Sequence, residues 1–421
     1  MRKITLILAM IFISTSSFSQ GIEEIIVTAN KREQTVQDIP MNISVITSDA
    51  ITERGIYNPE DYLRTLAGVS TPGGDTYYTM RGLNTGTAQV NSGTSNTFMG
   101  EISMGMTNLY DINRIEVLRG PQGTLYGSNA VGGTIRYITA MPSFDEFEGN
   151  VTLEYSDKKL ADDSGYAYNA MVNVPLSDTM AMRAVYTSGK NPGIYQNIAT
   201  GRKDIGNQDD DEYRLMFRYA DGPLDVNLMI MQRERFDFGQ KEKGNADKPG
   251  TADIVDPNCA YDAAWYYGDT CTRVFATAGG DLGGWDEDVA FYSYTDEYFD
   301  VESRVVSLTA DYEFEAFSAT LILANYDFDE YAVTDWSRID TDDLFPDPLY
   351  YYGDAKRETQ EVRFTSKGDG PIQWTAGYFR TDYESAPNRV TEWEVSNQAG
   401  IEYIESYMWS VSYTHSEPTR L

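Results

Sequence analysis

Three patterns of apolar and polar positions follow one another along the chain. The first covers residues 1–19. Arg2 and Lys3 precede an apolar run over 4–13, and Ser17 and Ser19 close it. A positive start, an apolar centre and small residues at −3 and −1 predict an export signal cleaved before Gln20. The second pattern, over 39–142, mixes short alternating runs with capped helical ones. Residues 43–46 (Ile-Ser-Val-Ile) alternate like a strand. Thr47 or Ser48 caps a predicted helix over 49–54, and Gly55 stops it. Asn58-Pro59 opens a second helix, with Pro at its first position, and Gly68 ends it. Residues 69–80 read as strand turning at Gly73-Gly74, and residues 86–100 as a polar loop. Two further strands, 114–118 and 134–139, flank a glycine-rich stretch. This is the pattern of a small α/β domain.

From Phe147 onward the period changes to two. Tyr166, Tyr168, Ala170, Val172 and Val174 alternate with Ala167, Asn169, Met171 and Asn173. Tyr213, Leu215, Phe217 and Tyr219 do the same, as do Val306, Leu308, Ala310 and Tyr312, and Ile372, Trp374, Ala376 and Tyr378. Ten strands are predicted: 147–157, 165–175, 179–189, 211–220, 223–235, 302–314, 316–328, 357–367, 371–384 and 403–415. A soluble sandwich would also alternate. Runs of about ten residues with Tyr and Trp at their ends point instead to strands that cross an outer membrane. Tight turns at Asp178 and Asp221-Gly222-Pro223 alternate with long loops over 189–210, 236–301 and 329–356. The expected fold is a small α/β domain followed by an antiparallel transmembrane β-barrel over 147–421.

Composition narrows the function classes. The formal net charge of −32 argues against nucleic-acid binding, which needs clustered Lys and Arg. One histidine, His415, leaves no Ser-His-Asp triad and no His-rich metal site, so no catalytic residue and no metal ligand set is expected. The acidic runs 209–211 and 340–347 read as solvated loops, with calcium as the alternative. Cys259 and Cys271 share the longest loop. An exported loop favours a disulfide between them, and two free thiols is the other reading.

Two stretches carry a family resemblance. Residues 112–139 contain Arg114-Ile115-Glu116-Val117-Leu118-Arg119-Gly120-Pro121-Gln122, then Leu125-Tyr126-Gly127, then Gly132-Gly133-Thr134-Ile135. This run resembles the plug signature of TonB-dependent outer-membrane receptors. Glu23-Glu24-Ile25-Ile26-Val27-Thr28-Ala29, just after the signal, resembles that family's TonB box, and Arg81-Gly82 its upstream Arg-Gly pair. Residues 98–103 match poorly the family's Asp-Gly-Val-Pro-like turn. The chain then divides into a signal peptide (1–19), a TonB box and linker (20–38), a plug (39–142) and barrel strands.

The resemblance implies location in the outer membrane of a Gram-negative bacterium. It implies active import of a ferric siderophore or similar large nutrient, driven by TonB with the ExbB–ExbD complex. Uptake of an oligosaccharide or other organic substrate is the alternative, and a passive porin or adhesin barrel the weaker one. No intrinsic cofactor is implied; a ferric chelate would be cargo. The partners are TonB, outer-membrane lipid and an extracellular ligand, with no nucleic acid. Haem cargo is disfavoured, since no histidine precedes position 415. Arg81 and Arg119 match family arginines that latch the plug to barrel glutamates. Plugged transporters have 22 strands, which at this spacing need roughly 600 residues beyond the plug. Ten strands therefore suggest part of a longer receptor.

Overall fold

The computed structural model describes residues 25–32, 34–39, 41–56, 59–73, 77–84, 95–105, 107–126, 130–197, 201–239, 290–291, 296–335, 348–368, 372–385, 393–397 and 400–404. The predicted export signal, Glu23, Glu24, Gly127, Cys259 and Cys271 lie outside those residues.

The N-terminal part opens with a hairpin of β1 (Ile26–Val27) and β2 (Gln34–Thr35). Then come β3 (Asn42–Thr47), α1 (Ser48–Glu53), α2 (Pro59–Leu63), and a meander of β4 (Val69–Gly73), β5 (Tyr77–Met80) and β6 (Leu83–Asn84). β7 (Ser95–Met99), β8 (Ile102–Ser103), β9 (Ile112–Arg119), α3 (Gly123–Tyr126) and β10 (Gly133–Thr139) complete it. Its main sheet has the order β3-β9-β10-β7-β8. α1 starts where its capping residue predicts: Thr47 Oγ1 accepts the Ala50 amide at 3.3 Å. α2 ends at Leu63, short of Gly68. β7 departs from the predicted loop. Its sequence has no alternation, and it is ordered by a non-local partner, the parallel strand β10.

Successive residues of β9 face opposite sides of this sheet. Ile115 and Val117 join Ile46, Ile51, Tyr62, Leu63, Met80, Ile135 and Tyr137 beneath the helices. Leu118 faces the other way, into a second cluster with Phe98, Tyr126, Ile43 and Val45. What covers that second face is the N-terminal segment itself: Ile25, Val27, Ala29, Val36 and Ile39. At the start of β10, a Cβ on Gly133 would collide with Met80 Sδ and the Leu118 carbonyl, so only glycine admits this close approach.

The remainder is a wall of strands. β11 (Glu148–Ser156), β12 (Gly165–Ser177) and β13 (Met180–Asn191) are followed by two short strands, β14 (Tyr195–Asn197) and β15 (Arg202–Ile205). β16 (Asn207–Asp221), β17 (Leu224–Phe238), the short β18 (Ala290–Phe291), β19 (Tyr298–Glu313), β20 (Phe317–Asp335), β21 (Pro348–Ser366) and β22 (Thr375–Ser385) continue it. Nine of these pair antiparallel in the order β11-β12-β13-β16-β17-β19-β20-β21-β22, while β15, β14 and β18 form a separate sheet. β23 (Trp393–Asn397) and β24 (Gly400–Ile404) make a hairpin. The tenth predicted strand, 403–415, is thus represented only by the end of β24; residues 405–415 lie outside the described set.

The ladder registers put every apolar position of the period-two pattern on one face. Val151, Leu153, Tyr168, Tyr186, Tyr213, Phe217, Ile230 and Leu323 are among the exposed large side chains of that face. Aromatic pairs mark both ends of the band. Tyr166–Tyr168 and Tyr186–Tyr213 stand at one end, with centroids 5.1 and 4.9 Å apart. Tyr312, Phe314, Phe317 and Trp374 stand at the other. This is the apolar band and double girdle of a lipid-facing barrel surface.

The strands outrun the sequence expectation. β20 and β21 have 19 residues each, so 329–335 and 348–356 are strand, not loop. Residues 209–211 also lie in a strand, β16. Beyond the lipid both faces of a strand are wet. The side-chain pattern loses its period there while the backbone ladder continues.

Candidate functional site

The site is built where the N-terminal segment meets the sheet that it covers. Val27 is fully buried, whereas Ile26, on the opposite side of the same two-residue strand, is 54% exposed. The hairpin closes with Lys31 N donating to Thr28 O at 2.9 Å and Val36 N to Ile25 O at 3.1 Å. Thr28 and Ala29 are gripped through their backbones. Thr28 N donates to Glu116 Oε1 at 3.3 Å, and the Tyr126 hydroxyl donates to Ala29 O at 2.7 Å.

Both gripping residues belong to the signature run. Glu116 is wholly buried, which a carboxylate tolerates only when paired. Its partners are Arg114 Nε at 2.8 Å and Arg136 Nη1 at 2.6 Å. The antiparallel register sets Arg136 directly across from Glu116. Arg136, only 1% exposed, also donates to Thr28 Oγ1 at 3.0 Å, Gly100 O at 3.3 Å and Glu101 Oε1 at 3.1 Å. Glu101 in turn binds Lys31, and Arg363 of the wall approaches within 4.0 Å.

Electrostatics keep the cluster charged. Burial alone would raise the Glu101 pKa. Lys31, Arg136 and Arg363 outweigh it and hold the carboxyl at about 2. Burial would lower the Arg136 pKa, but Tyr126, Glu101 and Glu116 more than offset that and hold it above the ordinary arginine value. Burial pushes the Tyr126 hydroxyl well up, so it remains a donor to Ala29.

A second set of contacts seats this domain against the wall. Arg183 forks Asp111, Nε to Oδ2 at 2.9 Å and Nη2 to Oδ1 at 2.6 Å. Arg214 Nη2 donates to Tyr110 O at 2.9 Å. Glu212 Oε2 accepts from Thr107 Oγ1 at 2.5 Å and Asn108 N at 3.2 Å. Arg357 Nη1 donates to Ser103 O and Oγ at 3.0 and 2.6 Å. Between the two bodies lies a dry stretch rich in methionine: Met99 and Met104 against Met216, Met229 and Met231.

The latch expected of Arg81 and Arg119 calls for barrel glutamates as their partners. Among the described residues, neither Arg81 nor Arg119 meets a wall carboxylate. Arg119 pairs across the sheet with Asn42 and donates to its Oδ1 at 2.9 Å. Arg81 is exposed and lies over Gly120, whose absent Cβ would sit 2.7 Å from Arg81 Nη1. The polarity is largely inverted: the wall supplies arginines, and the domain supplies carboxylates and carbonyls. Arg114, Glu116 and Tyr126 of the signature do converge, but on Thr28 and Ala29. Lys31, Glu101, Asp111 and Arg136, with Arg183, Glu212, Arg214, Arg357 and Arg363, were not singled out from sequence. The available signal was charge at inward positions of period-two strands, where burial demands a partner. Pro121 and Gly132 border the loop that carries α3, where Gln122 N donates to Ala130 O at 2.7 Å and Gly120 N to Gly132 O at 2.8 Å. Asp210 of the acidic run is forked by Arg233 at 2.7 and 2.6 Å. Among the described residues, no three His, Cys, Asp or Glu side chains are placed to hold a metal ion.

Comparison with known proteins decides the family. Residues 35–134 match the family described as TonB-dependent Receptor Plug Domain. That segment is a plug domain of the kind found in TonB-dependent receptors. It is 35% identical over 188 residues to the iron-regulated outer membrane virulence protein of Vibrio cholerae, covering 40% of this chain and 28% of that protein. It is 29% identical over 187 residues to the vitamin B12 transporter BtuB of Vibrio vulnificus, covering 42% of this chain and 29% of the relative. A hemin receptor of Yersinia pestis matches at 32% over 134 residues, 30% of this chain and 19% of the receptor. Among solved structures, the ferripyoverdine receptor of Pseudomonas aeruginosa superposes with a TM-score of 0.63 at 16% identity, covering 89% of this chain and 46% of that one. The ferric yersiniabactin uptake receptor FyuA of Yersinia pestis gives 0.61 at 17%, covering 86% and 50%. The chain therefore spans about half the length of these solved receptors and under a third of these curated relatives. The described strands are a plug and part of a receptor barrel, and these relatives are receptors and transporters rather than enzymes.

Proposed function

We propose that this chain serves TonB-driven import of a ferric siderophore, or a nutrient of similar size, across the outer membrane. One observation carries the reading: the segment expected to be the TonB box is also a covering layer of the plug core. Ile26 presents an exposed side chain and Val27 is buried, while Thr28 and Ala29 are held by the signature residues Glu116 and Tyr126 and by Arg136. A periplasmic partner that takes residues 23–29 as an added strand would strip that layer from the plug. TonB, energised through ExbB–ExbD, is that partner in this proposal, and an extracellular chelate is the cargo. Residues 1–19 direct export, 20–38 serve as box and linker, and the outward apolar band meets lipid.

The test has two arms. Ile26→Pro removes an amide from the strand and bars its addition to another sheet. Uptake is expected to fall to the level of a strain lacking TonB; unchanged uptake would refute coupling through this box. A deletion strain grown on defined iron, cobalamin and carbon sources identifies the cargo. A defect confined to iron limitation supports the chelate, and one confined to a glycan replaces it while leaving the coupling intact.

A further inference from the structure

Lys31 and Arg32 are adjacent in sequence but engage different bodies. Lys31 is tied to Glu101 of the plug. Arg32 reaches the wall, at the short turn between β21 and β22. Its Nη2 donates to Trp374 O at 2.6 Å and Ser366 Oγ at 3.1 Å, and Nη1 lies 3.4 Å from Ser366 O and 3.3 Å from Gln373 Oε1. Ser366 and Trp374 already close that turn on each other, Ser366 N to Trp374 O at 2.9 Å and Trp374 N to Ser366 Oγ at 2.9 Å. Trp374 packs against Phe317 in the aromatic row at this end of the apolar band. The guanidinium thus sits on a corner of the wall at the aromatic edge of the apolar band.

We propose that Arg32 straps the box hairpin to the barrel wall and sets how readily the box leaves the plug. This rests on the reading of residues 23–29 as the segment that TonB takes. The hairpin has two independent fastenings. One runs through Thr28, Ala29 and Lys31 to plug residues, and the other through Arg32 to the wall. The planar fork matches two carbonyls and a hydroxyl at once, which a lysine ammonium does not reproduce. None of the wall-side partners is a carboxylate, so the strap holds across the range in which acidic residues titrate. The Lys31–Glu101–Arg136 cluster does not share that property.

Hydrogen exchange of the receptor in outer-membrane vesicles, without ligand, tests this directly. In Arg32→Ala, the amides of residues 25–36 are expected to exchange about tenfold faster, which corresponds to about 1.4 kcal/mol. Those of β9 (residues 112–119) stay at the wild-type rate. Arg32→Lys recovers only part of the protection, and the Arg32→Ala effect is the same at pH 5 and pH 8. Unchanged exchange at 25–36 overturns the strap. Equal acceleration of 25–36 and 112–119 also overturns it, since Arg32 would then merely support the plug. Binding of the purified periplasmic domain of TonB separates this from the coupling proposal. If Ile26→Pro binds that domain as wild type does, the box reading fails whatever the exchange result. If Ile26→Pro abolishes binding and Arg32→Ala does not tighten it, only the strap fails.

Discussion

Replacing Asp111 by Asn isolates one charge at the plug–wall seam. Asp111 sits in the left-handed region (φ 58°), which Asn adopts nearly as easily, so the backbone is not disturbed. Lost is one carboxylate that forks Arg183 at 2.9 and 2.6 Å and lies 3.9 Å from Arg214. Side chains on both sides of the fork are 7% exposed, and Arg214 is fully buried. The amide nitrogen of Asn would turn a donor toward a donor. As charged partners the two wall guanidinia would keep Glu148 at 3.4 Å and Glu212 at 3.7 Å, and Arg214 would keep its bond to Tyr110 O. Removing one partner of a buried pair costs about 3–5 kcal/mol. Glu148 is partly wet and relieves some of this, so we expect about 2–3 kcal/mol, or about 30- to 150-fold in the seating equilibrium. Exchange of the 107–112 amides in native membranes reads that equilibrium. Combining Asp111→Asn with Arg183→Met closes a double-mutant cycle, and a coupling of at least about 1.5 kcal/mol is expected. A coupling within about 0.5 kcal/mol of zero would refute the view that this fork seats the plug.

Three further outcomes follow from the same contacts. Tyr126→Phe deletes the donor to Ala29 O and leaves a buried carbonyl unpaired, costing about 1–3 kcal/mol of box docking; exchange over residues 25–30 should rise, and an unchanged rate counts against the grip. The Glu101 carboxyl is held at about 2, below its ordinary 4.5, so its contribution is complete above about pH 4.5 and drains away as pH falls toward about 2. A spin label at Ile26, the exposed residue of that strand, should stay immobile from pH 5 to 8 and loosen only within that acidic window; loosening near neutrality would contradict the assignment. Leu215→Arg places a charge on the outward face between Ala184 and Ile230, where about 2–4 kcal/mol of folding stability should be lost in lipid vesicles. A neutral result there would put that face against something other than lipid.

Much of the architecture is written in periodicity. The nine strands of the wall ladder follow from residues that alternate between its two faces, whereas the short β14, β15 and β18 lie in stretches expected as loops; β9 and β10 follow from short alternating runs around glycine turns. α1 is readable from Thr47 and Gly55, because capping is a local rule. What sequence missed depends on distant partners. β7 is a strand only because β10 lies beside it. The upper halves of β20 and β21 lose their pattern once lipid no longer sorts the side chains. The site was half legible. Glu116 and Tyr126 could be located, but their target could not, since Thr28 lies 88 residues from Glu116 in sequence. Arg81 and Arg119 were selected by resemblance, whereas the seam is made by arginines such as Arg183 and Arg214, whose charge sits in otherwise ordinary barrel strands.

The roof over the second face of the plug is the strip that, in the proposal above, TonB carries off. Taking it leaves Leu118, Phe98, Ile43 and Val45 without cover, and strands the buried charges of Glu116 and Arg136 beside an open cleft. Undocking is therefore a local unfolding step, and its cost grows with each apolar side chain uncovered, about 1.5–3 kcal/mol for Val27 alone. The reverse also holds. In that proposal, the same uncovered face would draw the strip home once the pull ends. Substitutions in the strip consequently act on two properties at once: how firmly the partner can hold it, and how fast the gate closes behind it.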